Sequence, residues 1–181
     1  MIRLLLLAGI LVAVLMWMNG RGTLGGAGHA APMTWDKAHL ETLAADLSTA
    51  DGKPAPPGAL GGAKRTLVYF SASWCPPCRA FTPELVAWYK AHGDPAKMPL
   101  LFVSFDRDAA DMRAYMSDDH MPWWGVAFGS ASAQALTRSY AGTGIPDLVL
   151  LDEHGQVLVD SYADGRYLGP HQVLAAVAAG K

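Results

Sequence analysis

The chain has 181 residues, of which 51% are hydrophobic and 17% charged, and its formal net charge is −2. This length suits one domain with a proper core plus an appendage. The small net charge gives no electrostatic case for binding nucleic acid. Two cysteines are too few for a framework of several disulfides.

The N-terminus has the composition of an export segment. Arg3 precedes fifteen uncharged residues, Leu4 to Met18. Such a block suits the apolar region of a signal peptide, and it is short for a spanning helix, which needs about 20 residues. A small-x-small cleavage pattern at 28–30 lies far beyond Met18, which favours an uncleaved anchor over a cleaved signal. The predicted organisation is a signal or membrane anchor over 1–20, a flexible tether over 21–33 and a folded domain over 34–181. The expected location is periplasmic or otherwise extracytoplasmic, with the domain tethered to the inner membrane or secreted after signal cleavage.

The first elements of the domain are predicted from caps and periodicity. Thr34 is a suitable cap for a helix over 35–47, in which Leu40 and Leu43 share an apolar face. The following stretch, 51–63, is rich in proline and glycine and is predicted to be a connection.

From residue 66 onward the pattern alternates between strands and helices. In chain order we predict strands at 66–71 and 100–105 around a helix over 76–92, helices over 108–119 and 130–140, a hairpin of strands at 147–152 and 156–162, and a helix from 170 to 180. This order predicts an α/β fold with a mixed central sheet flanked by helices. The two early strands should be parallel and the last pair antiparallel.

Both cysteines lie in the stretch Trp-Cys-Pro-Pro-Cys, between a predicted strand and a predicted helix. Cys75 then falls at the N-cap, Pro76 at the first helical position and Cys78 at the third. The free N–H groups and the dipole of the helix lower the pKa of the Cys75 thiol below the usual value of about 8.5. We therefore expect Cys75 to attack a substrate disulfide and Cys78 to resolve the mixed disulfide. Pro76 and Pro77 have no N–H, so Cys78 supplies the first backbone donor to the Cys75 sulfur.

A cysteine pair can also serve as a structural staple or as part of a metal site. A bridge between neighbours three apart restrains little of the unfolded chain, which argues against a structural staple. A zinc site needs about four ligands, and His92 has no second histidine at a suitable spacing, since the next is His120. We therefore predict no metal site and no cofactor. Binding of copper(I) by the two thiolates stays an alternative.

Four blocks in order resemble the thioredoxin superfamily, and most closely its tryparedoxin/nucleoredoxin branch. They are YFSASWCPPCRAFTP (69–83), VSFDRD (103–108), MPWWGVAF (121–128) and GIPDLVLLD (144–152). The resemblance runs from about residue 63 to 159, over half the chain. It implies a thioredoxin-like fold and thiol–disulfide exchange with proteins or small disulfides.

The resemblance also implies how substrates bind. Pro146 matches the cis-proline that faces the active-site cysteines in this fold, and the backbone of Ile145 would pair with an extended substrate segment. The candidate substrate-binding residues are Trp74, Pro76, Pro77, Ile145 and Pro146.

Several positions depart from the family pattern or have a structural interpretation. Tyr69 stands where thioredoxin has a buried carboxylate, so we see no general base for Cys78. Asp147 stands where a threonine is usual, and a carboxylate there would disfavour a nearby thiolate and acidic substrates. Asp106 and Arg107 follow a predicted strand and are expected to form a solvated turn rather than to contact a substrate. One of Trp123 and Trp124 should be in the core and the other partly exposed.

The sequence predicts a thiol–disulfide oxidoreductase that acts mainly as a protein-disulfide reductase. In an oxidising compartment such a reductase needs electrons, so the expected partners are a membrane thiol protein as donor and disulfide-containing exported proteins as clients. The alternatives are a copper-handling dithiol module without turnover, or a disulfide oxidase or isomerase.

Overall fold

The computed structural model describes residues 33–180. The predicted anchor over 1–20 and the predicted tether, except for Met33, lie outside the described residues. Within 33–180, no helix has the length and apolar character needed to cross a membrane.

The described part of the chain alternates between helices and strands. The helices are α1 (Lys37–Ala45), α2 (Pro76–His92), α3 (Ala109–Asp118), α4 (Ala131–Tyr140) and α5 (His171–Ala178). The strands are β1 (Leu47–Ser48), β2 (Arg65–Ser71), β3 (Leu100–Ser104), β4 (Trp124–Val126), β5 (Asp147–Asp152), β6 (Val157–Asp160), β7 (Tyr162–Ala163) and β8 (Arg166–Tyr167). The fold is α/β with a mixed sheet, as the sequence predicts.

Six strands form the central sheet in the order β1-β4-β3-β2-β5-β6, with β2 in the interior. Strand β2 pairs parallel with β3 and antiparallel with β5, and β5 pairs antiparallel with β6. These pairings confirm the predicted parallel early strands and the predicted antiparallel hairpin. The parallel β2–β3 pair needs a crossover, which α2 provides. Strands β7 and β8 form a separate two-stranded sheet.

Side chains of β2 alternate between two apolar clusters because successive residues of a strand point to opposite faces. Tyr69 belongs to the cluster that contains buried residues of α2 and α3, whereas Phe70 belongs to the cluster with α4. Burial on both faces explains why the strand is a continuous apolar run. Trp123 is buried in the first cluster, and Trp124 is partly buried against the second.

The N-terminal elements differ from the prediction. Helix α1 begins after Asp36, whose carboxylate accepts the backbone N–H of His39 at 2.9 Å, so Asp36 and not Thr34 is the cap. The helix ends at Ala45, and Leu47 pairs with Val126 in the sheet. The sequence pattern also missed β4, because a strand of three residues is too short to show a period of two.

Candidate active site

The two cysteines lie where β2 turns into α2. Cys75 is the N-cap of α2, with an extended backbone at φ −93° and ψ 109°, and Pro76 is the first helical residue. The Cys75 sulfur accepts the backbone N–H of Cys78 at a distance of 3.3 Å. The two residues form a disulfide in this structure, with their Cα atoms 5.2 Å apart. This is the N-cap geometry expected from the motif, with sulfur in the place of the usual cap oxygen.

The two cysteines differ in exposure. Cys75 keeps 4% of its surface exposed, while Cys78 keeps none. Trp74 beside them is 55% exposed, and its indole Nε1 donates to the Phe105 carbonyl at 2.9 Å. Pro76 is exposed as well. Cys75 is thus the more exposed cysteine of the pair, next to an exposed aromatic ring and an exposed proline. Pro77 is also exposed, in the first turn of the helix.

A second loop approaches the dithiol from the sheet. The Ile145–Pro146 peptide bond is cis, as the resemblance implies. The Ile145 carbonyl oxygen lies 3.7 Å from the Cys75 sulfur, and the Ile145 side chain packs on the small cluster that holds both cysteines. The structure therefore brings Ile145 and the dithiol together, from positions about 70 residues apart.

A buried hydroxyl network lies beneath Cys78. The Thr82 hydroxyl donates to the Cys78 carbonyl at 2.9 Å and lies 2.8 Å from the Tyr69 hydroxyl. Tyr115 also contacts Thr82, and its hydroxyl lies 3.0 Å from that of Ser71. Burial raises the pKa of Tyr69 far above its ordinary value of 10.0, with a smaller contribution from the neighbouring Tyr115. At neutral pH Tyr69 is therefore a protonated hydrogen-bonding group and cannot accept the proton of Cys78.

Asp106 is the site residue that the sequence interpretation missed. It is only 8% exposed, so the expectation of a solvated turn residue is wrong. Its carboxylate accepts the Ser73 N–H and the Ser73 hydroxyl, each at 2.7 Å, and the Ser104 hydroxyl at 2.7 Å. The sequence pattern could have placed Asp106 near the turn that carries Cys75. Strands β2 and β3 were predicted to be parallel, and the residues after two neighbouring parallel strands lie at the same edge of a sheet.

Asp147 is buried as well, with 1% of its surface exposed. Its Oδ2 atom accepts the backbone N–H of Gly142 at 2.8 Å. This bond spans the loop that carries Ile145 and Pro146. The carboxylate is thereby engaged in shaping the loop, a role that the sequence interpretation, which considered only its charge, did not include.

No group of three or more histidine, cysteine, aspartate or glutamate side chains within 33–180 is arranged to hold a metal ion. What the described residues bring together is a cysteine pair at a helix start, facing a cis-proline loop.

A thioredoxin-like family model matches residues 62–157, more than half of the chain. The fold and the cysteine pair are those of the thiol–disulfide oxidoreductases. The chain belongs to the thioredoxin-like family, and its relatives place it in the nucleoredoxin/tryparedoxin branch.

Relatives of known name support this assignment. Nucleoredoxin of Bos taurus is 37% identical over 124 residues, which are 67% of this chain but 28% of that protein. Tryparedoxin of Trypanosoma brucei brucei is 32% identical over 112 residues, 61% of this chain and 76% of that protein. The chain thus spans less than a third of the nucleoredoxin's length.

Solved structures agree. Thioredoxin from Wuchereria bancrofti superposes with a TM-score of 0.61 at 36% identity, covering 77% of this chain and 98% of that one. Tryparedoxin I from Leishmania major superposes with the same TM-score, 0.61, at 32% identity, covering 80% of this chain and 92% of that one.

Proposed function

We propose that the protein is a protein-disulfide reductase that acts outside the cytoplasm through Cys75 and Cys78. One observation carries the proposal: the Cys75 sulfur lies at the start of α2, where the Cys78 N–H donates to it at 3.3 Å. A sulfur so placed is stabilised as a thiolate by the hydrogen bond and by the helix dipole. The thiolate is the form that attacks disulfides.

The reaction transfers two electrons from the dithiol to the substrate. The Cys75 thiolate attacks one sulfur of the substrate disulfide, the substrate S–S bond breaks, and the second substrate sulfur leaves as a thiolate that takes up a proton. Cys78 then loses its proton and attacks the Cys75 sulfur. The mixed disulfide breaks, and the first substrate sulfur leaves as the second thiol. The protein is left with the Cys75–Cys78 disulfide, the state present in the structure.

The exposed edge of the site suits an extended protein segment. Trp74, Pro76 and Pro77 are exposed next to Cys75 in the chain and offer apolar contact. Ile145 and Pro146 offer a backbone edge close to the Cys75 sulfur. A substrate strand that pairs with Ile145 would present its disulfide to Cys75.

The proposed location rests on residues outside the described part of the chain. Arg3 followed by the uncharged block Leu4 to Met18 has the order of charges of an export segment. Residues 1–20 would then tether the domain to the membrane. The electron donor would be a membrane thiol protein, and the clients would be exported proteins that carry disulfides.

Insulin reduction tests the proposed activity. We expect the full-length chain, purified in mild detergent with dithiothreitol as electron donor, to precipitate the insulin B chain, and Cys75→Ser to abolish this. Cys78→Ser should accumulate the mixed disulfide because no thiol resolves it. An inert wild-type chain would overturn the proposal. Inertness together with stoichiometric copper(I) binding would instead support the alternative of a copper-handling dithiol.

The reduction potential separates a reductase from an oxidase or isomerase. Thioredoxin lies at about −270 mV and protein disulfide isomerase at about −180 mV, and about 30 mV is worth about 1.4 kcal/mol for this two-electron couple. A value from glutathione equilibration on the thioredoxin side of this range supports the reductase. A value above that of the isomerase contradicts it.

A fusion experiment tests the location. Alkaline phosphatase, which folds only where its disulfides form, is fused after Lys181 and expressed in a bacterial host. We expect phosphatase activity from the full-length fusion and none from a matched fusion that lacks residues 1–20. Equal activity of the two fusions would contradict export through the N-terminal block.

A further inference from the structure

The small hairpin of β7 and β8 follows the central sheet and ends against the cis-proline loop. Its strands pair antiparallel, so that Tyr162 lies opposite Tyr167. The two rings are 5.2 Å apart between centroids, tilted by 60°. Both hydroxyl groups make hydrogen bonds to backbone atoms between 144 and 146.

Tyr162 forms hydrogen bonds to the loop at Gly144, before Ile145. Its hydroxyl accepts the backbone N–H of Gly144 at 2.7 Å and donates to the carbonyl of the same residue at 3.0 Å. One side chain thus fixes the peptide groups on both sides of Gly144. The Tyr162 ring also packs against Gly142 so closely that a Cβ atom there would overlap it. Glycine at 142 is therefore what lets the ring reach the loop.

Tyr167 forms a hydrogen bond to the loop at Pro146, after Ile145. Its hydroxyl donates to the Pro146 carbonyl at 2.7 Å. Burial raises the pKa of Tyr167 above its ordinary value of 10.0, and the nearby Tyr162 and Asp147 add to the shift. The hydroxyl therefore stays protonated, and a donor, across the physiological pH range.

Ile145 lies between these two anchored residues. Its carbonyl is the group 3.7 Å from the Cys75 sulfur, and its side chain packs on the cluster of both cysteines. The hydroxyls of the two tyrosines bond to the backbone of Gly144 and Pro146 and not to the sulfurs. The hairpin is thus coupled to the backbone that faces a substrate, and not directly to the reacting atoms.

We propose that Tyr162 and Tyr167 are positioning residues that hold the backbone of Ile145 ready to pair with an extended protein substrate. The inference rests on the proposed protein-disulfide reductase activity and names what in this chain favours protein disulfides. A loop already held in its bound conformation loses less entropy when a strand adds to it, so affinity for protein substrates rises. A small disulfide makes no strand pairing and gains nothing from the hairpin.

The test compares full-length Tyr162→Phe, Tyr167→Phe and the double variant, which keep both rings and lose the hydroxyls. We expect the KM for insulin to rise about fivefold in each single variant, the size of one lost hydrogen bond, and further in the double variant, with kcat within about twofold. The rate with the small disulfide 5,5′-dithiobis(2-nitrobenzoate) should stay unchanged. The pH profile of Cys75 alkylation should stay unchanged too. The Gly144 amide should exchange faster with deuterium in Tyr162→Phe.

Tyr89→Phe is the matched control. Its hydroxyl also donates to a backbone carbonyl, that of Met98, at 2.9 Å, and it is buried near the far end of α2. We expect this variant to lose stability without a change in the KM for insulin.

Two outcomes overturn the inference while wild-type activity stands. One is an unchanged KM for insulin in folded variants, and the other is an equal loss of rate with the small disulfide, which would place the effect at the dithiol itself. Should the double variant fail to fold, the single variants decide between the same outcomes. An inert wild-type chain would overturn the proposed function, and this inference with it.

Discussion

Asp106 accepts two hydrogen bonds from Ser73, one from its backbone N–H and one from its hydroxyl, both at 2.7 Å. Ser73 lies two residues before Cys75, in the turn that carries the dithiol. Asp106 is only 8% exposed, and its carboxylate therefore fixes the path of the chain into α2. Hydrogen bonds to a charged acceptor are stronger than neutral ones, which suits this position.

Removing this carboxylate should weaken both stability and catalysis. Asp106→Ala removes the acceptor of the half-buried donors of Ser73 and Ser104, so we expect the free energy of unfolding to fall by about 1–3 kcal/mol. The turn before Cys75 also becomes less ordered, so kcat/KM for insulin should fall. Urea unfolding and the insulin assay measure the two effects. Asp118→Ala, an exposed carboxylate of α3, is the control and should change neither. Equal behaviour of the two variants would contradict the role given to Asp106.

Replacing either proline of the motif should lower the pKa of the Cys75 thiol. Pro76→Gly and Pro77→Ala each add a backbone N–H at the start of α2, where the Cys75 sulfur now accepts the N–H of Cys78. N-cap groups accept from the second and third helical residues, so Pro77→Ala should have the larger effect. The pH profile of iodoacetamide alkylation of the reduced protein measures the pKa. A pKa that is unchanged or raised in both variants would contradict this prediction.

The Thr82 hydroxyl should contribute more to the free energy of unfolding than the hydroxyl of another helical threonine. Thr82→Val leaves the hydroxyls of Tyr69 and Tyr115 short of a partner in a fully buried site, and we expect a loss of about 1–3 kcal/mol in unfolding free energy. Thr137→Val is the matched control, since the Thr137 hydroxyl likewise donates to the carbonyl four residues earlier in its helix, that of Ala133. Urea midpoints should fall clearly in the first variant and little in the second. Similar losses of unfolding free energy in the two variants would show that the hydroxyl network under Cys78 adds nothing to stability.

Tyr69 should make the fold sensitive to alkali. Its pKa is raised in the folded state above the ordinary 10.0 by burial, so the neutral form is favoured by folding. The stability from this preference is fully present below pH 10 and is lost as the pH rises above it. Tyr69→Phe should therefore show a shallower loss of unfolding free energy between pH 9 and 11, although its stability at pH 7 falls through the lost hydrogen bond. Equal slopes for the two proteins would show that Tyr69 does not titrate with unfolding.

A feature of this fold could be predicted from sequence when it depends on residues that are close together in the chain. The bounds of α2 and the cap role of Cys75 were predicted from local pattern alone, because a helix start is decided by a few consecutive residues. The strand β4 and the true cap of α1 were not. Three residues carry too little periodicity, and Thr34 and Asp36 are both acceptable caps until the packing of the helix is known.

By itself, the sequence determined the chemistry of this protein: a cysteine pair three residues apart at the start of a helix, with prolines that leave one backbone donor for the first sulfur. Helix geometry enforces that arrangement wherever the helix lies. Only the tertiary structure decided what surrounds the pair, namely the carboxylate of Asp106 behind Ser73 and the two tyrosines that hold the loop of Ile145. These contacts join residues 18 to 33 positions apart, and they exist only once strand register and loop paths are set by the packing of the whole sheet.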